Sequence, residues 1–163
     1  MFKSHETDFA ELFSLKGKVV VITGSTGLLG AEFAKILSWA GADLVLLGHK
    51  NQQINKRICE NIQNEFGKTP LSLMADLSIK EKVEEVFQIV KLEFGKLDGL
   101  VNNAQFVPRK HSKRANAFED YDMTFWRETI DTNLTGSFLC AQQAGKLMAI
   151  NGCGSIVNIS SIY

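Results

Sequence analysis

Residues 23–30 read Thr23-Gly24-Ser25-Thr26-Gly27-Leu28-Leu29-Gly30. They stand between an apolar run, Lys18–Thr23, that reads as a buried strand, and a stretch in which Leu28, Leu29, Phe33, Ile36, Leu37 and Ala40 recur at helical spacing until Gly41. A strand that turns into a helix this abruptly needs residues without Cβ. The same turn lets backbone come close to a pyrophosphate, and the helix start offers free N–H groups and a favourable dipole. The bland alternative is a plain turn of a non-binding α/β protein. A P-loop is excluded, because Gly30 is followed by Ala31 and Glu32 rather than by Lys and Ser or Thr.

The rest of the chain repeats the unit of apolar run, turn and helical stretch. Leu44–Leu47 is a second strand, and Ile54, Ile58 and Ile62 mark a helix at i, i+4, i+8 that stops at Gly67 and Pro70. Leu71–Ala75 is a third strand. Ser78-Ile79-Lys80-Glu81 reads as a capping box opening a helix that buries Val83, Val86, Phe87 and Val90 and ends at Gly95. Gly99–Asn102 is a fourth strand, Gln105–Tyr121 a polar basic loop, Thr124–Ile150 a helix with a break near Gly136, and Ser155–Ser160 a fifth strand. Strands alternating with helices of this length imply a parallel sheet with helices on both faces. Residues 1–16 read as a polar lead-in, and 17–163 as one truncated domain that stops directly after a strand.

Composition bounds the function classes. The 163 residues are 45% hydrophobic and 22% charged with a formal net charge of +0, which gives no global attraction to nucleic acid or to an acidic membrane surface. The apolar runs are strand-sized, far short of a membrane span, and Met1–Glu6 carries no apolar signal core, so a cytoplasmic protein is expected. Cys59, Cys140 and Cys153 are widely spaced and read as reduced thiols. His5, His49 and His111 are equally scattered, so no metal site is expected.

Further along, Asp76-Leu77 follows the third strand, Asn102-Asn103-Ala104 the fourth, Asn133-Leu134-Thr135-Gly136 lies in the long helix, and Gly154-Ser155-Ile156-Val157-Asn158-Ile159-Ser160-Ser161 forms the fifth strand. With the glycine turn, these segments resemble the short-chain dehydrogenase/reductase family in order and spacing. The resemblance implies a doubly wound Rossmann sheet, incomplete here, with strand order 3-2-1-4-5 and helices on both faces. It also implies an NAD(P)-dependent oxidoreductase that moves a hydride between nicotinamide and a carbonyl or hydroxyl substrate. The glycine spacing is more usual in the extended branch of sugar-nucleotide epimerases and dehydratases, whereas Asn-Asn-Ala and Asn-Leu-Thr-Gly belong to the main branch. Gln105 replaces the family's usual Gly. Asn-Asn-Ala-Gln, the basic loop and Ser-Ser-Ile-Tyr look similar to a bacterial subgroup linked to flagellin or surface-glycan modification.

By this resemblance Ser161 matches the catalytic Ser that positions the substrate oxygen, and Asn133 the Asn that helps hold a Lys and a relay water. The turn residues 23–30, Asp76, Leu77, Asn102, Asn103 and Ala104 match the cofactor-binding set. The family's proton donor is a Tyr, whose pKa of about 10 becomes useful only beside a cation, the family's Lys four residues on. That Tyr-x-x-x-Lys falls beyond Ser161, and Tyr163, with no Lys after it, is a poor substitute. The chain alone is therefore expected to lack turnover.

An acid at the end of the second strand would grip the ribose hydroxyls of NAD. Leu47-Gly48-His49-Lys50 has none there, and His49 and Lys50 suit a 2′-phosphate, so NADP is expected over NAD. Arg109–Arg114 is either a solvated loop or a reader of an anionic substrate such as a sugar derivative. No nucleic-acid motif accompanies it. A homo-oligomeric parent is implied by the family. Two other readings stay open: a non-catalytic nucleotide-binding or regulatory protein that needs no Tyr, and an epimerase- or dehydratase-type member of the extended branch.

Overall fold

The structure is a computed structural model that describes residues 9–106 and 117–160. After a single helical turn, α1 (Phe9–Leu12), come β1 (Val19–Thr23), α2 (Leu28–Trp39), β2 (Asp43–Gly48), α3 (Gln52–Phe66), β3 (Leu71–Met74), α4 (Lys80–Phe94) and β4 (Gly99–Asn102). A 3-10 turn at Phe118–Asp120 leads to α5 (Met123–Ile130), a π-helical turn at Asp131–Thr135, α6 (Gly136–Asn151) and β5 (Ser155–Asn158). All strand pairs are parallel and the order is β3-β2-β1-β4-β5, the incomplete Rossmann sheet that the resemblance implied.

Strands β1 and β2 are buried on both faces, because Val19–Ile22 and Leu44–Leu47 are apolar without interruption, as parallel strands covered by helices require. Alternate residues of β1 part to opposite sides. Val19 and Val21 join Val45 and Leu47 in a core with Val83, Val86, Phe87 and Val90 of α4 and with Leu139, Ala144 and Leu147 of α6. Val20 and Ile22 join Leu44 and Leu46 in a second core with Ala34 of α2 and Ile62 of α3. Cys59, Cys140 and Cys153 are free thiols, and burial pushes Cys140 up to about 12. Among the described residues, no helix is long and apolar enough to cross a membrane, and no cluster of His, Cys, Asp or Glu could hold a metal ion.

The expected helices form, but their buried seams differ in detail from the apolar patterns that marked them, and one expected cap is absent. The α4 seam is the expected one, but the buried seam of α3 runs through Asn55 and Ile62, and Ile54 is exposed. Ile62 of the expected pattern is buried and Ile58 packs against the same core, so only its first member, Ile54, lies off the seam. On α2 the exposed residues include Leu28, Leu29 and Ile36, and the buried face is Gly30, Ala34 and Ser38. Small residues there let the helix lie close on the sheet. At α4 the capping box does not form: Ile79 is the N-cap, and the Ser78 hydroxyl turns back to Asp76.

Asp98 pins the amino end of the sheet. Its carboxylate accepts from the Val19 amide at 2.9 Å, from Lys18 at 3.1 Å and from Lys96 at 3.0 Å. Burial opposes ionisation, but the Val19 amide and the two ammonium groups outweigh it and hold the carboxyl down at about 2. A carboxylate stabilised in the folded state contributes fully above its ordinary value of 3.8, and the contribution fades as the pH falls toward about 2. Asp98→Ala is therefore expected to cost ~1.5–3 kcal/mol near neutral pH, the range for hydrogen bonds to a charged group. Urea unfolding at pH 7 and at pH 2.5 checks this: the gap between variant and wild type should narrow at the lower pH.

Candidate cofactor-binding site

A cleft of about 710 Å³ opens at the carboxyl ends of β1 to β4, where ligands bind in sheets of this kind. Gly24, Thr26, Gly27, Leu28, Leu29 and Gly30 form its floor, and His49, Asp76, Leu77, Asn103 and Ala104 its sides. Thr23, Ser25 and Asn102, at 1%, 0% and 3% exposure, lie beneath it. The basic run Arg109–Arg114, Ser161 and Tyr163 fall outside the described residues.

Thr23 and Asn103 build the turn between them. The Thr23 hydroxyl accepts the amides of Asn103 and Ala104, both at 3.0 Å, and donates to the Val101 carbonyl at 3.4 Å. The Asn103 amide group donates back to the carbonyls of Thr23 at 3.0 Å and Gly24 at 3.2 Å. The two loops are thereby stitched so tightly that a Cβ on Gly24 (φ +66°) would come within 2.7 Å of the Ala104 Cα. A Cβ on Gly30 would strike the Gly24 carbonyl oxygen. The Gly27 amide closes onto that same carbonyl at 3.0 Å. Gly27 has no side chain to cap α2, so the first-turn amides, which lack intrahelical partners, are left for a ligand. A Cβ-free cradle beside an uncapped helix start fits a pyrophosphate. The cleft also has the size of a ligand pocket.

On the far side, His49 hydrogen-bonds the Ala75 carbonyl through Nδ1 at 3.3 Å, and its Nε2 lies 3.9 Å from Asp76. Asp76 accepts from the Ser78 amide at 3.0 Å and the Ser78 hydroxyl at 2.6 Å. Burial pushes the Asp76 carboxyl up, but these bonds, with His49 and Lys50 nearby, prevail and hold it below the usual carboxylate range. Lys50 also lines the cleft, and no acid stands at positions 48–50.

Asn102 donates to the Ser137 carbonyl at 3.1 Å and to Asn158 Oδ1 at 3.0 Å, tying β4 to α6 and β5. Asn133 lies in the π turn. Its side chain pairs with both backbone groups of Phe106, accepting the amide at 2.6 Å and donating to the carbonyl at 3.2 Å, while its own carbonyl takes the Ser137 hydroxyl at 2.8 Å. The helix rests so close to Leu77 here that a Cβ on Gly136 would meet the Leu77 Cβ at 2.9 Å. The break expected near Gly136 is this π turn just before it.

Sequence reasoning missed Phe106, Glu128, Asp131 and Thr132, which complete the cleft wall. It also missed Asn55, fully buried against Ser25. A signal for Asn55 existed: it stands three, four and seven residues before Ile58, Cys59 and Ile62, inside the buried seam.

Residues 18–163 match the model of the short chain dehydrogenase family. The 3-oxoacyl-(acyl-carrier-protein) reductase of Aquifex aeolicus is 33% identical over 152 residues, covering 91% of this chain and 57% of the relative. The NAD-dependent glycerol dehydrogenase of Listeria innocua is 33% identical over 160 residues, covering 98% of this chain and 57% of the relative. Among solved structures, a short-chain type dehydrogenase/reductase from Mycobacterium marinum superposes with a TM-score of 0.84 at 27% identity, over 93% of this chain and 59% of that one. The chain thus spans a little over half the length of these relatives. Family model, relatives and sheet order agree, and the chain belongs to the short-chain dehydrogenase/reductase family of oxidoreductases.

Proposed function

We propose that this chain is the dinucleotide-binding portion of an NADP-preferring oxidoreductase that acts on the carbonyl or hydroxyl of a small molecule, with an anionic sugar derivative as the substrate class. The observation that carries the reading is the Cβ-free turn stitched by Thr23 and Asn103 at the mouth of an uncapped helix. When bound, the dinucleotide supplies or accepts the hydride. The chain's own residues bind and orient it: the turn amides hold the pyrophosphate, Asp76 and Leu77 border the adenine, and His49 and Lys50 face the ribose 2′ position. Asn133 fixes Phe106 at the cleft wall through its side chain. Ser161 orients the substrate oxygen in this reading, and Arg109–Arg114 attracts the substrate's negative charge. A cytoplasmic, homo-oligomeric whole protein accompanies it.

Calorimetric titration of the purified chain tests the binding step. NADPH is expected to bind with a Kd of ~10–100 µM, about −7 to −5.5 kcal/mol. NADH should bind roughly three- to fivefold more weakly, the difference an exposed ion pair of ~0.7–1 kcal/mol supplies. Tighter NADH binding would overturn the NADP preference, and no binding of either would sink the site. The 163 residues contain no Tyr followed four residues later by Lys, so no steady turnover is expected from them. NADPH oxidation that persists through purification and vanishes in Ser161→Ala would refute that.

A further inference from the structure

Asn55 lies on α3, outside the cleft, at 0% exposure. Its neighbours on the buried seam of that helix are apolar: Ile62, with Ile58, Cys59 and Phe66 packed against the same core. An apolar side chain would continue the seam, so packing gives no reason for an amide. The amide is nonetheless fully used. Asn55 Oδ1 accepts the Ser25 hydroxyl at 2.7 Å, and Nδ2 donates to the Leu46 carbonyl at 2.9 Å and the Ser72 hydroxyl at 3.0 Å, with the Leu73 carbonyl at 3.3 Å. One side chain thus joins the glycine turn to β2 and β3. Ser25 is held twice, since its own amide also reaches the Leu47 carbonyl at 3.3 Å. Thr26 and Gly27, the next residues, line the cleft, and so do His49 and Lys50, which directly precede the Asn51 cap of α3.

We propose that Asn55 is a positioning residue that sets the spacing between the pyrophosphate turn and the His49–Lys50 ribose corner, acting through the Ser25 hydroxyl. The proposal rests on the dinucleotide reading of the cleft. Only a ligand that spans both places feels the spacing, so Asn55 should matter to a dinucleotide and little to a fragment that touches one end.

The experiment titrates NADPH and adenosine against wild type, Asn55→Leu, Ser25→Ala and the double variant, with thermal melts alongside. Asn55→Leu is expected to weaken NADPH at least tenfold and adenosine less than twofold. Ser25→Ala should weaken NADPH about fivefold or more, and the double variant should bind no worse than the weaker single one. A purely structural Asn55 would lower the melting temperature and leave the ratio of the two affinities unchanged, which overturns the proposal, as do additive effects in the double variant. Should Asn55→Leu not fold, Ser25→Ala decides, because it leaves the bonds from Asn55 to β2 and β3 in place: unchanged NADPH binding overturns the proposal. Failure of the wild type to bind NADPH sinks the dinucleotide reading itself and the proposal with it, whereas binding by the wild type and equally by Asn55→Leu overturns the proposal alone.

Discussion

Gly30→Ala is expected to lower NADPH affinity more than 100-fold, a loss of at least about 2.7 kcal/mol, and to cost ~2–3 kcal/mol of stability as an overpacking substitution. Calorimetry and a thermal melt read both, the latter as a drop of roughly 4–12 °C for a domain of this size. The added methyl would run into the Gly24 carbonyl oxygen and come within 2.9 Å of both the Gly24 carbonyl carbon and Asn103 Nδ2. Two of those atoms are backbone, held by the Leu47 carbonyl on one side and by Asn103 on the other. The helix cannot retreat either, because Ala34 and Ser38, one and two turns on, are buried at 0% and 2% exposure. The turn itself has to open, and with it the amides that face the ligand. Gly145→Ala on α6 is the control: a methyl there meets nothing within 4 Å, and the helix should gain up to ~1 kcal/mol. An unchanged melt and affinity in Gly30→Ala would mean that the turn is not built as described.

The difference between these two glycines marks how far a sequence can be read. Strands β1 and β2 were legible because Val19–Ile22 and Leu44–Leu47 are unbroken apolar, buried runs, and α4 because its four buried residues recur at helical spacing. The turn was legible because glycine is a direct record of missing space. Its lock was not, because Thr23 and Asn103 meet across 80 residues of chain, and nothing in either neighbourhood announces the other. Asn55, although its spacing places it in the seam, was passed over for a related reason. Apolar periodicity ranks a polar residue as surface, and only the partners supplied by β2, β3 and the glycine turn make its burial tolerable. Ser78 shows local chemistry competing with a motif: Asp76, two residues back, captures the hydroxyl that the capping box would have used.

The fifth strand carries the other large effect. Purified at micromolar concentration, the 163-residue chain is expected to self-associate, and Val157→Lys to render it monomeric. Among the described residues β5 pairs with β4 alone and forms an edge of the sheet. Its apolar side chains are open: Ile156 is 38% exposed, Val157 48% and the following Ile159 40%. No Lys or Pro lies between Ser155 and Ser160 to block a further strand, so both the backbone groups and the side chains invite pairing. Val157 also faces an apolar groove of about 400 Å³ whose walls include Leu15, Val20, Leu37 and Val101. A second strand laid along this edge would cover that groove, and burying a side chain the size of Val is worth about 1.5–3 kcal/mol per copy. A Lys at 157 puts a charge into the groove and, in a two-fold pairing centred on 157, a like charge opposite it, while leaving the β4–β5 ladder intact, since that ladder is made of backbone. Size-exclusion chromatography with light scattering separates the outcomes. A wild-type chain that stays strictly monomeric across a tenfold range of concentration would show that the edge is protected. In that case Val157→Lys should change neither the mass nor the melt.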